Sequence, residues 1–286
     1  MAYKNLKALN DAYGAGYSRI FGWRKAPTQT TGSGIWFDLS MSPGNPVPNY
    51  YAAAPVNFQF LKQSTDGGLY HGLPPPSGTK KYLKQLTVIS VSATAVPLPM
   101  VLMDYLGYYP FVDMSITGEQ EIFNTNSLTR YTTGAGVQIM AVEVAAQIGG
   151  TSFFVTYTNS DGVAGRITST VTCNTQVVNG TLVNTAPATL GCQGPFLPLQ
   201  TGDSGVRSIQ SVNFLTGDVG LITLVLVKPL AEIAVHDITA PAEKDFVISG
   251  MSPPVIEDDA YLNFIVHPSG TLASTQIMGL IETVWI

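Results

Sequence analysis

The stretch from Ser204 to Pro229 constrains the fold of this chain most strongly. Its first half, residues 209–216, alternates in the way that a half-buried β-strand does. Its second half, residues 219–227, is apolar on both faces, which is typical of a strand covered on both sides. Gly217 between the halves suits a tight turn. We therefore predict a central β-hairpin, whose second face is covered either by a neighbouring subunit or by a helix or loop of the same chain.

A second segment repeats this plan. Residues 77–106, SGTKKYLKQLTVISVSATAVPLPMVLMDYL, have the same order of features as residues 204–230: a Ser-Gly start, a basic residue, an alternating strand, a turn and a strongly apolar strand. The similarity indicates either a remnant of duplication, with two equivalent hairpins or two barrels, or the ordinary likeness of any two β-hairpins.

Composition favours an all-β protein. Gly contributes 28 and Pro 19 of the 286 residues, which marks many turns between short strands. We count at least ten strand candidates and no long helix after residue 13. The strongest hairpin signal is the NSDG turn that follows residues 151–158. We predict a jelly-roll-like sandwich or barrel with an extended N-terminal arm and long ordered loops. The chain ends in Trp285 and Ile286, which we expect to be tied into a sheet.

The chain is poor in charge. Only 12% of its residues are charged, about half of the usual share, while 45% are hydrophobic. A chain that puts so few charges on its surface is typical of a subunit of a larger assembly. The charge is also uneven, because residues 1–25 carry five basic residues against one acid (+4), whereas the chain from Gln210 onward carries two Lys against nine acids (−7). Such a split suits contact between the basic end of one molecule and the acidic surface of a neighbour.

We predict that residues 1–32 form an N-terminal arm and that residues 33–286 form the β domain, with an internal division near residues 130–150 as a further option. A short amphipathic helix is expected over residues 2–13, followed by a glycine-rich aromatic segment that either folds back on its own domain or lies across a partner. On the second interpretation, deleting residues 1–25 leaves the β fold intact. The predicted partner-binding residues of the arm are Tyr3, Lys4, Lys7, Tyr13, Tyr17, Arg19, Phe21, Trp23, Arg24 and Lys25.

The sharpest enzyme-like string is Gly202-Asp203-Ser204-Gly205, which resembles the GDSGG around the nucleophile of trypsin-like serine proteases. Val206 replaces the final glycine, and the upstream His71 has no segment like the TAAHC that presents the general base in that family. A match of four small polar residues is common in β-turns. We therefore predict no catalytic residue and no enzyme.

We also predict no cofactor and no metal ion. Residues 257–259 are three consecutive acids, but they lack the alternating oxygen donors of a calcium loop. Cys173 and Cys192 are the two cysteines, and we expect two separate reduced thiols, with a disulfide as the alternative. No signal peptide and no apolar run of about 20 residues are present, so no membrane contact is expected. Because the net charge is −5, we expect no nucleic-acid partner.

Several runs resemble the virion structural proteins of tailed bacteriophages: the basic Tyr/Gly-rich arm, SPGNPVPNYY, DYLGYYPFVDMS, VTYTNSDGVAGR, GPFLPLQTGDSGVRSIQSV and the final VWI. The chain lacks the long spine helix of the major capsid proteins of such phages. The resemblance implies a jelly-roll or immunoglobulin-like protein that decorates or cements the capsid lattice. Its partners would then be the major capsid protein and other copies of itself in a homotrimer. Its location would be the virion, after synthesis in the host cytoplasm.

Two other functions are compatible with these features. One is a receptor- or glycan-binding module of a tail, with a sugar platform formed by Tyr50, Tyr51, Tyr108 and Tyr109. The other is a single-layer jelly-roll coat protein.

Overall fold

The chain folds into three antiparallel β-sheets. The computed structural model describes residues 5–123, 127–175, 178–184 and 194–286. The central sheet consists of β2 (Phe37–Asp38), β4 (Gln59–Phe60), β6 (Leu98–Asp113), β8 (Gln138–Ala145), β13 (Leu221–Val235) and β16 (Leu262–Val266). Its order is β2-β16-β6-β13-β8, and β4 also pairs with β6. The long strands β6 and β13 are its axis, because they pair with each other along nearly their whole length.

Two further sheets, which we call the outer sheets, pack against the central one. The first outer sheet consists of β1 (Ser18–Lys25), β3 (Gly44–Asn45), β5 (Lys81–Ser90), β14 (Ala242–Asp245), β15 (Val255–Ile256) and β17 (Ile277–Trp285). The second outer sheet consists of β7 (Gly118–Glu121), β9 (Ser152–Asn159), β10 (Arg166–Ile167), β11 (Val171–Thr172) and β12 (Val206–Phe214). The first has the order β14-β5-β17-β1-β3 with β15 beside β5, and the second has the order β10-β9-β12-β7 with β11 beside β9.

Helix is sparse in the described residues. They contain α1 (Leu6–Gly14), the single turn α2 (Gln63–Asp66) and two 3₁₀ turns at Leu39–Met41 and Ala93–Ala95. The side chain of Asn5 caps the start of α1 by accepting a hydrogen bond from the amide of Ala8 at 2.9 Å. This helix confirms the one predicted near the N-terminus. No helix in the described ranges is long and apolar enough to span a membrane.

Two hydrophobic cores lie on the same face of the central sheet, one toward each end of β6 and β13. The first outer sheet packs over Leu98, Met100 and Leu102 of β6. The second outer sheet packs over Leu106 and Tyr109 of the same strand, among others. The fold is therefore an all-β sandwich whose two outer sheets share one central layer, which confirms the predicted fold class in its sandwich form. No closed barrel is formed by the residues that the structure describes.

The predicted central hairpin of residues 204–229 is wrong, and the similar segment of residues 77–106 does not form a hairpin either. β12 pairs with β7 and β9 in the second outer sheet, whereas β13 pairs with β6 and β8 in the central sheet. β5 and β6 are likewise divided between the first outer sheet and the central sheet. The physical reason is that a strand buried on one face and a strand buried on both faces belong to different layers, so the chain crosses between sheets at the turn. The NSDG turn, in contrast, does join paired strands, β9 and β10.

The second face of the central sheet is covered by loops of the same chain, so neighbouring subunits are not needed to bury it. Val225 and Val227 of β13 are fully buried beneath Met41, Tyr51 and Leu61. Those loops are fixed by a buried carboxylate. Asp38 accepts hydrogen bonds from the Tyr105 hydroxyl at 2.7 Å, the Tyr51 hydroxyl at 2.5 Å and the Ser40 hydroxyl at 2.6 Å.

A buried ion pair lies between the two cores. Asp104 follows Leu102 of one core and precedes Leu106 of the other along β6, and its carboxylate accepts two hydrogen bonds from Arg130 at 2.8 and 2.9 Å. The backbone amide of Tyr261 donates a third at 3.0 Å. Burial raises the pKa of Asp104 to about 6, because desolvation outweighs the attraction of Arg130.

The predicted arm is part of the folded domain from residue 18 onward. β1 pairs with β17 over all eight of its residues, and the end of β1 also pairs with β3. α1 packs Leu9 and Ala12 against Tyr82 and Val284. The segment folds back on its own domain because its rings and the far end of the chain bury each other. Against the expectation that residues 1–25 are dispensable, this packing predicts that deleting them disrupts the β fold. The internal division near residues 130–150 stays a prediction.

Candidate functional site

The structure separates the predicted arm residues into an interior set and a surface set. Trp23 and Lys25 are interior, because alternate residues of β1 point into the first core. Trp23 stacks on Phe264 of the central sheet with a centroid distance of 4.4 Å. The prediction that these two residues contact a partner is wrong, since their own chain buries them. Tyr3 and Lys4 lie outside the described residues.

Lys25 has an unusual environment for a lysine. Its ammonium donates to the carbonyl oxygen of Ser42 at 3.0 Å and lies near the carbonyl of Ser40 at 3.5 Å. Burial lowers the pKa of Lys25 to about 8, and the negative charge of Asp38 opposes that shift. Lys25 therefore holds the loop after β2 against β1 and has a structural role.

Three of the other predicted residues make local contacts. Lys7 forms an ion pair with Asp11 one turn along α1. The hydroxyl of Tyr13 donates to Glu282 of β17. Arg24 lies 3.4 Å from the side-chain oxygen of Gln276. The ion pair is internal to α1, whereas the contacts of Tyr13 and Arg24 hold the N-terminal segment on its own sheet.

The remaining three predicted residues line a groove on the surface, the aromatic groove. It has a volume of about 480 Å³ and lies between the start of β1 and the loop of residues 70–76. Its principal side chains are those of Tyr17, Arg19, Phe21, Tyr70, Leu73 and Trp285. Tyr70 and Leu73 are 48% and 74% exposed, so the groove has an apolar surface that meets solvent.

Ring contacts fix the geometry of the aromatic groove. Tyr17 stacks on Trp285 with a centroid distance of 6.2 Å and an interplanar angle of 25°. The guanidinium of Arg19 lies 5.5 Å from the centroid of the same indole, within cation–π range. Phe21 meets Tyr70 edge to face at 5.1 Å. The register of β1 on β17 produces the first of these contacts, because the amide of Trp285 donates to the carbonyl of Tyr17 at 3.1 Å.

A buried Lys–His pair supports the loop side of the groove. Lys81 donates to the carbonyl of Gly72 at 3.0 Å and to Nδ1 of His71 at 3.2 Å. Since the ammonium has only donors, Nδ1 accepts and Nε2 carries the proton that it donates to the carbonyl of Ala260 at 3.0 Å. Burial, followed by the charge of Lys81, lowers the pKa of His71 to about 4, so this imidazole is neutral at pH 7.

Gly72 is needed at its position in the loop. Its φ is +89°, and a Cβ there would lie 3.1 Å from the ring of Phe21. Both the backbone conformation and the close ring therefore favour glycine. Sequence reasoning found Tyr17, Arg19 and Phe21 but missed Tyr70, Leu73 and Trp285, because no local spacing connects the two ends of the chain.

The protease-like string has a structural explanation. Asp203 accepts two hydrogen bonds from Arg166 at 3.0 Å and one each from Tyr157 and Asn159. These donors, Arg166 above all, lower the pKa of Asp203 to about 2. Ser204 pairs its hydroxyl with that of Ser160 at 2.9 Å. The string therefore organises a turn at the start of β12.

The structure also describes the acidic residues 257–259 and one of the two cysteines. Asp259 accepts hydrogen bonds from the amide and hydroxyl of Ser64 at 2.7 and 2.9 Å, so it caps a turn. Within the described ranges, no group of three or more His, Cys, Asp or Glu side chains is placed to hold a metal ion. Cys173 is buried, and Cys192 lies outside the described residues.

The predicted sugar platform is wrong. Tyr51 and Tyr109 are fully buried and Tyr108 is only 7% exposed, because β6 and the loop over it bury them. Of the four tyrosines of the predicted platform, only Tyr50 is exposed.

Comparisons with known proteins add little. No family model and no curated protein matches the chain. Among solved structures, two chains of the infectious bursal disease virus VP2 protein are similar to it: the crystal structure of a subviral particle, and T=1 particles derived from the D431N mutant VP2. Each is 8% identical over 94% of this chain, with a TM-score of 0.16; the alignments cover 81% and 78% of the VP2 chains. Likeness at that level carries no argument about fold or function.

Proposed function

We propose that this chain is a structural protein of a virion, which binds the outside of a capsid lattice and stabilises it as a decoration protein, without catalysis. The aromatic groove is the observation that supports a binding role. Exposed apolar side chains on soluble domains are usually scattered singly, whereas the exposed Tyr17, Tyr70 and Leu73 lie together in this one concave surface. The choice of a capsid as the target rests on the sequence resemblance to tailed-phage virion proteins.

The groove suits a protein partner because its shape exists before binding. Stacking and edge-to-face contacts hold Tyr17, Trp285, Phe21 and Tyr70 in place, so little side-chain entropy is lost on association. Aromatic residues and arginine are also the side chains that most often dominate binding energy at protein interfaces. We propose that a loop of the major capsid protein occupies the groove and contacts Tyr70 and Leu73 directly.

The chemistry of the buried polar groups is compatible with a non-enzymatic role. The most perturbed groups near the groove, His71 and Lys81, are 1% exposed and bond to each other and to backbone carbonyls. They hold the groove loop in place, and their sequestration leaves them no route to a substrate.

The test is binding to capsids purified from the encoding virus after this gene has been deleted. The wild-type chain should co-sediment with the particles at a fixed ratio to the shell subunit. Tyr70→Ala and Leu73→Ala should each weaken that binding at least roughly tenfold. Tyr50→Ala is the matched control, because Tyr50 is also an exposed tyrosine but lies away from the groove.

Two results would overturn the proposal. One is a wild-type chain that does not bind the particles at all, or that is found only at the tail. The other is undiminished binding of both groove variants, which would place the attachment surface elsewhere. Circular dichroism of each variant confirms that a loss of binding is not a loss of folding.

A further inference from the structure

The outer face of the first outer sheet carries apolar side chains where an exposed sheet normally carries polar ones. In β1, Trp23 and Lys25 point inward, so Ile20, Gly22 and Arg24 point outward. The register pairs Ile20 with Glu282, Gly22 with Leu280 and Arg24 with Met278 of β17. Continuing across the sheet, Leu280 pairs with Thr87 and Met278 pairs with Ile89 of β5.

These outward positions form an apolar stripe, which we call the outer stripe. Its members are Ile20, Ile89, Val91, Met278 and Leu280. Ile20 is 63% exposed, Val91 51% and Leu280 47%. An antiparallel sheet with one solvated face alternates apolar-in and polar-out. The outer stripe breaks that rule at four strand positions, and Val91 extends it directly after β5. α1 does not cover the stripe, because α1 packs at the Tyr82–Val284 end of the same face.

Opposite charges flank the outer stripe on opposite sides. Glu243 lies on β14, and it pairs with Thr87 in the same cross-strand row as Leu280 and Gly22. Arg24 points outward from the same face, two residues along β1 from Gly22, and the strands β5 and β17 separate it from β14. Both side chains are exposed.

We propose that a second copy of this chain packs face to face on the outer stripe, about a twofold axis that runs parallel to the strands. Such an axis keeps the strand direction and reverses the order of the strands across the interface, so β14 of one copy lies over β1 of the other. Glu243 then faces the Gly22 row, within one row of Arg24, and the symmetry repeats this contact at the other side of the interface. Meanwhile Leu280 and Met278 of β17 lie over Thr87 and Ile89 of β5 and bury the apolar side chains.

Charge complementarity selects this occupant. A copy related by the twofold axis presents acid to base at both sides and apolar surface to apolar surface in the middle. If the second copy packed with the strand order not reversed, β14 would lie over β14 and β1 over β1. Glu243 would then face Glu243 and Arg24 would face Arg24, and this repulsion disfavours that arrangement. The face is separate from the aromatic groove, because Ile20 points away from its neighbours Arg19 and Phe21. The inference therefore stands apart from the proposed function.

The experiment measures mass by sedimentation equilibrium across a range of protein concentrations. The wild-type chain should reach twice its mass of 30.5 kDa. Leu280→Glu should raise the dissociation constant at least roughly tenfold, since it places a charge in the centre of the apolar stripe. Leu215→Glu is the matched control, because Leu215 is also an exposed leucine (51%) but follows directly after β12 of the second outer sheet, and it should leave the mass unchanged.

Charge exchange tests the twofold geometry itself. Glu243→Arg and Arg24→Glu should each weaken the dimer, and the double variant should recover most of the lost affinity. Any of four results would overturn the proposal: a wild-type monomer, the homotrimer that the sequence resemblance implies, a Leu280→Glu dimer of unchanged affinity, or a double variant that does not recover affinity. Tyr70→Ala should leave the mass unchanged, which keeps this test distinct from that of the groove.

Discussion

Replacing Trp23 with alanine tests most directly whether the N-terminal segment belongs to the fold. Trp23 is 4% exposed and stacks on Phe264 at 4.4 Å. A buried aromatic side chain of this kind covers roughly 150–250 Å². At about 25 cal/mol per Å², that surface is worth roughly 4–6 kcal/mol, as an upper figure.

Two details refine the magnitude. Within the described residues, Nε1 of Trp23 has no hydrogen-bond partner, so the substitution removes packing without orphaning an acceptor. The backbone of Gly279 lies against the indole, since a Cβ at that position would be 3.1 Å from Nε1. Because β1 and β5 pair with β17 on either side, this backbone cannot move in to fill the cavity that the substitution leaves. We therefore expect a loss of about 3–5 kcal/mol, the usual range for such truncations. That is a large part of the roughly 5–15 kcal/mol typical of a folded domain.

The assay is equilibrium unfolding in urea, followed by far-UV circular dichroism. The Trp23→Ala midpoint should fall with little change in slope, because the surface exposed on unfolding is nearly the same. Ile248→Ala is the control, since Ile248 is 86% exposed and should change stability by no more than about 0.5 kcal/mol. If Trp23→Ala does not fold, Trp23→Leu retains part of the buried surface and should give a measurable, smaller loss. A loss below about 1 kcal/mol for Trp23→Ala would refute the reasoning and restore the detachable arm.

Three further predictions follow from the buried and turn-forming polar groups. Arg130→Met should cost about 3–5 kcal/mol in the same urea assay, because Asp104 would be left buried without its partner; a loss under about 1 kcal/mol would contradict this. Burial raises the pKa of Glu143 from 4.5 to about 8, so its contribution to stability is fully present below pH 4.5 and is lost as pH rises through 8. Melting temperatures of Glu143→Gln should lack that decline, and parallel profiles for the two proteins would count against the assignment. Ser204→Ala should leave peptide and ester hydrolysis at the buffer rate, whereas labelling of Ser204 by an active-site serine reagent would show the opposite.

The sequence by itself determined the nature of the strands. The alternation in residues 209–216 predicted a one-sided strand, and the apolar run in residues 219–227 predicted a two-sided one; β12 and β13 have those environments. Both readings depend on periodicity, which is a local property of the chain. The turn after residues 151–158 was readable for the same reason, since Asp161 and Gly162 lie at the turn itself.

Only the tertiary structure decided which strands pair and what covers them. A glycine turn is compatible with a hairpin and with a crossover between layers, and the choice depends on partners far away in sequence, such as β6 for β13. β1 looked like an arm because Gly22 and the basic residues interrupt its pattern. It is a strand because β17, at the other end of the chain, supplies its hydrogen bonds and Phe264 accepts its indole. The aromatic groove has the same origin: Tyr17 and Trp285 meet only because long-range pairing brings the two ends of the chain together.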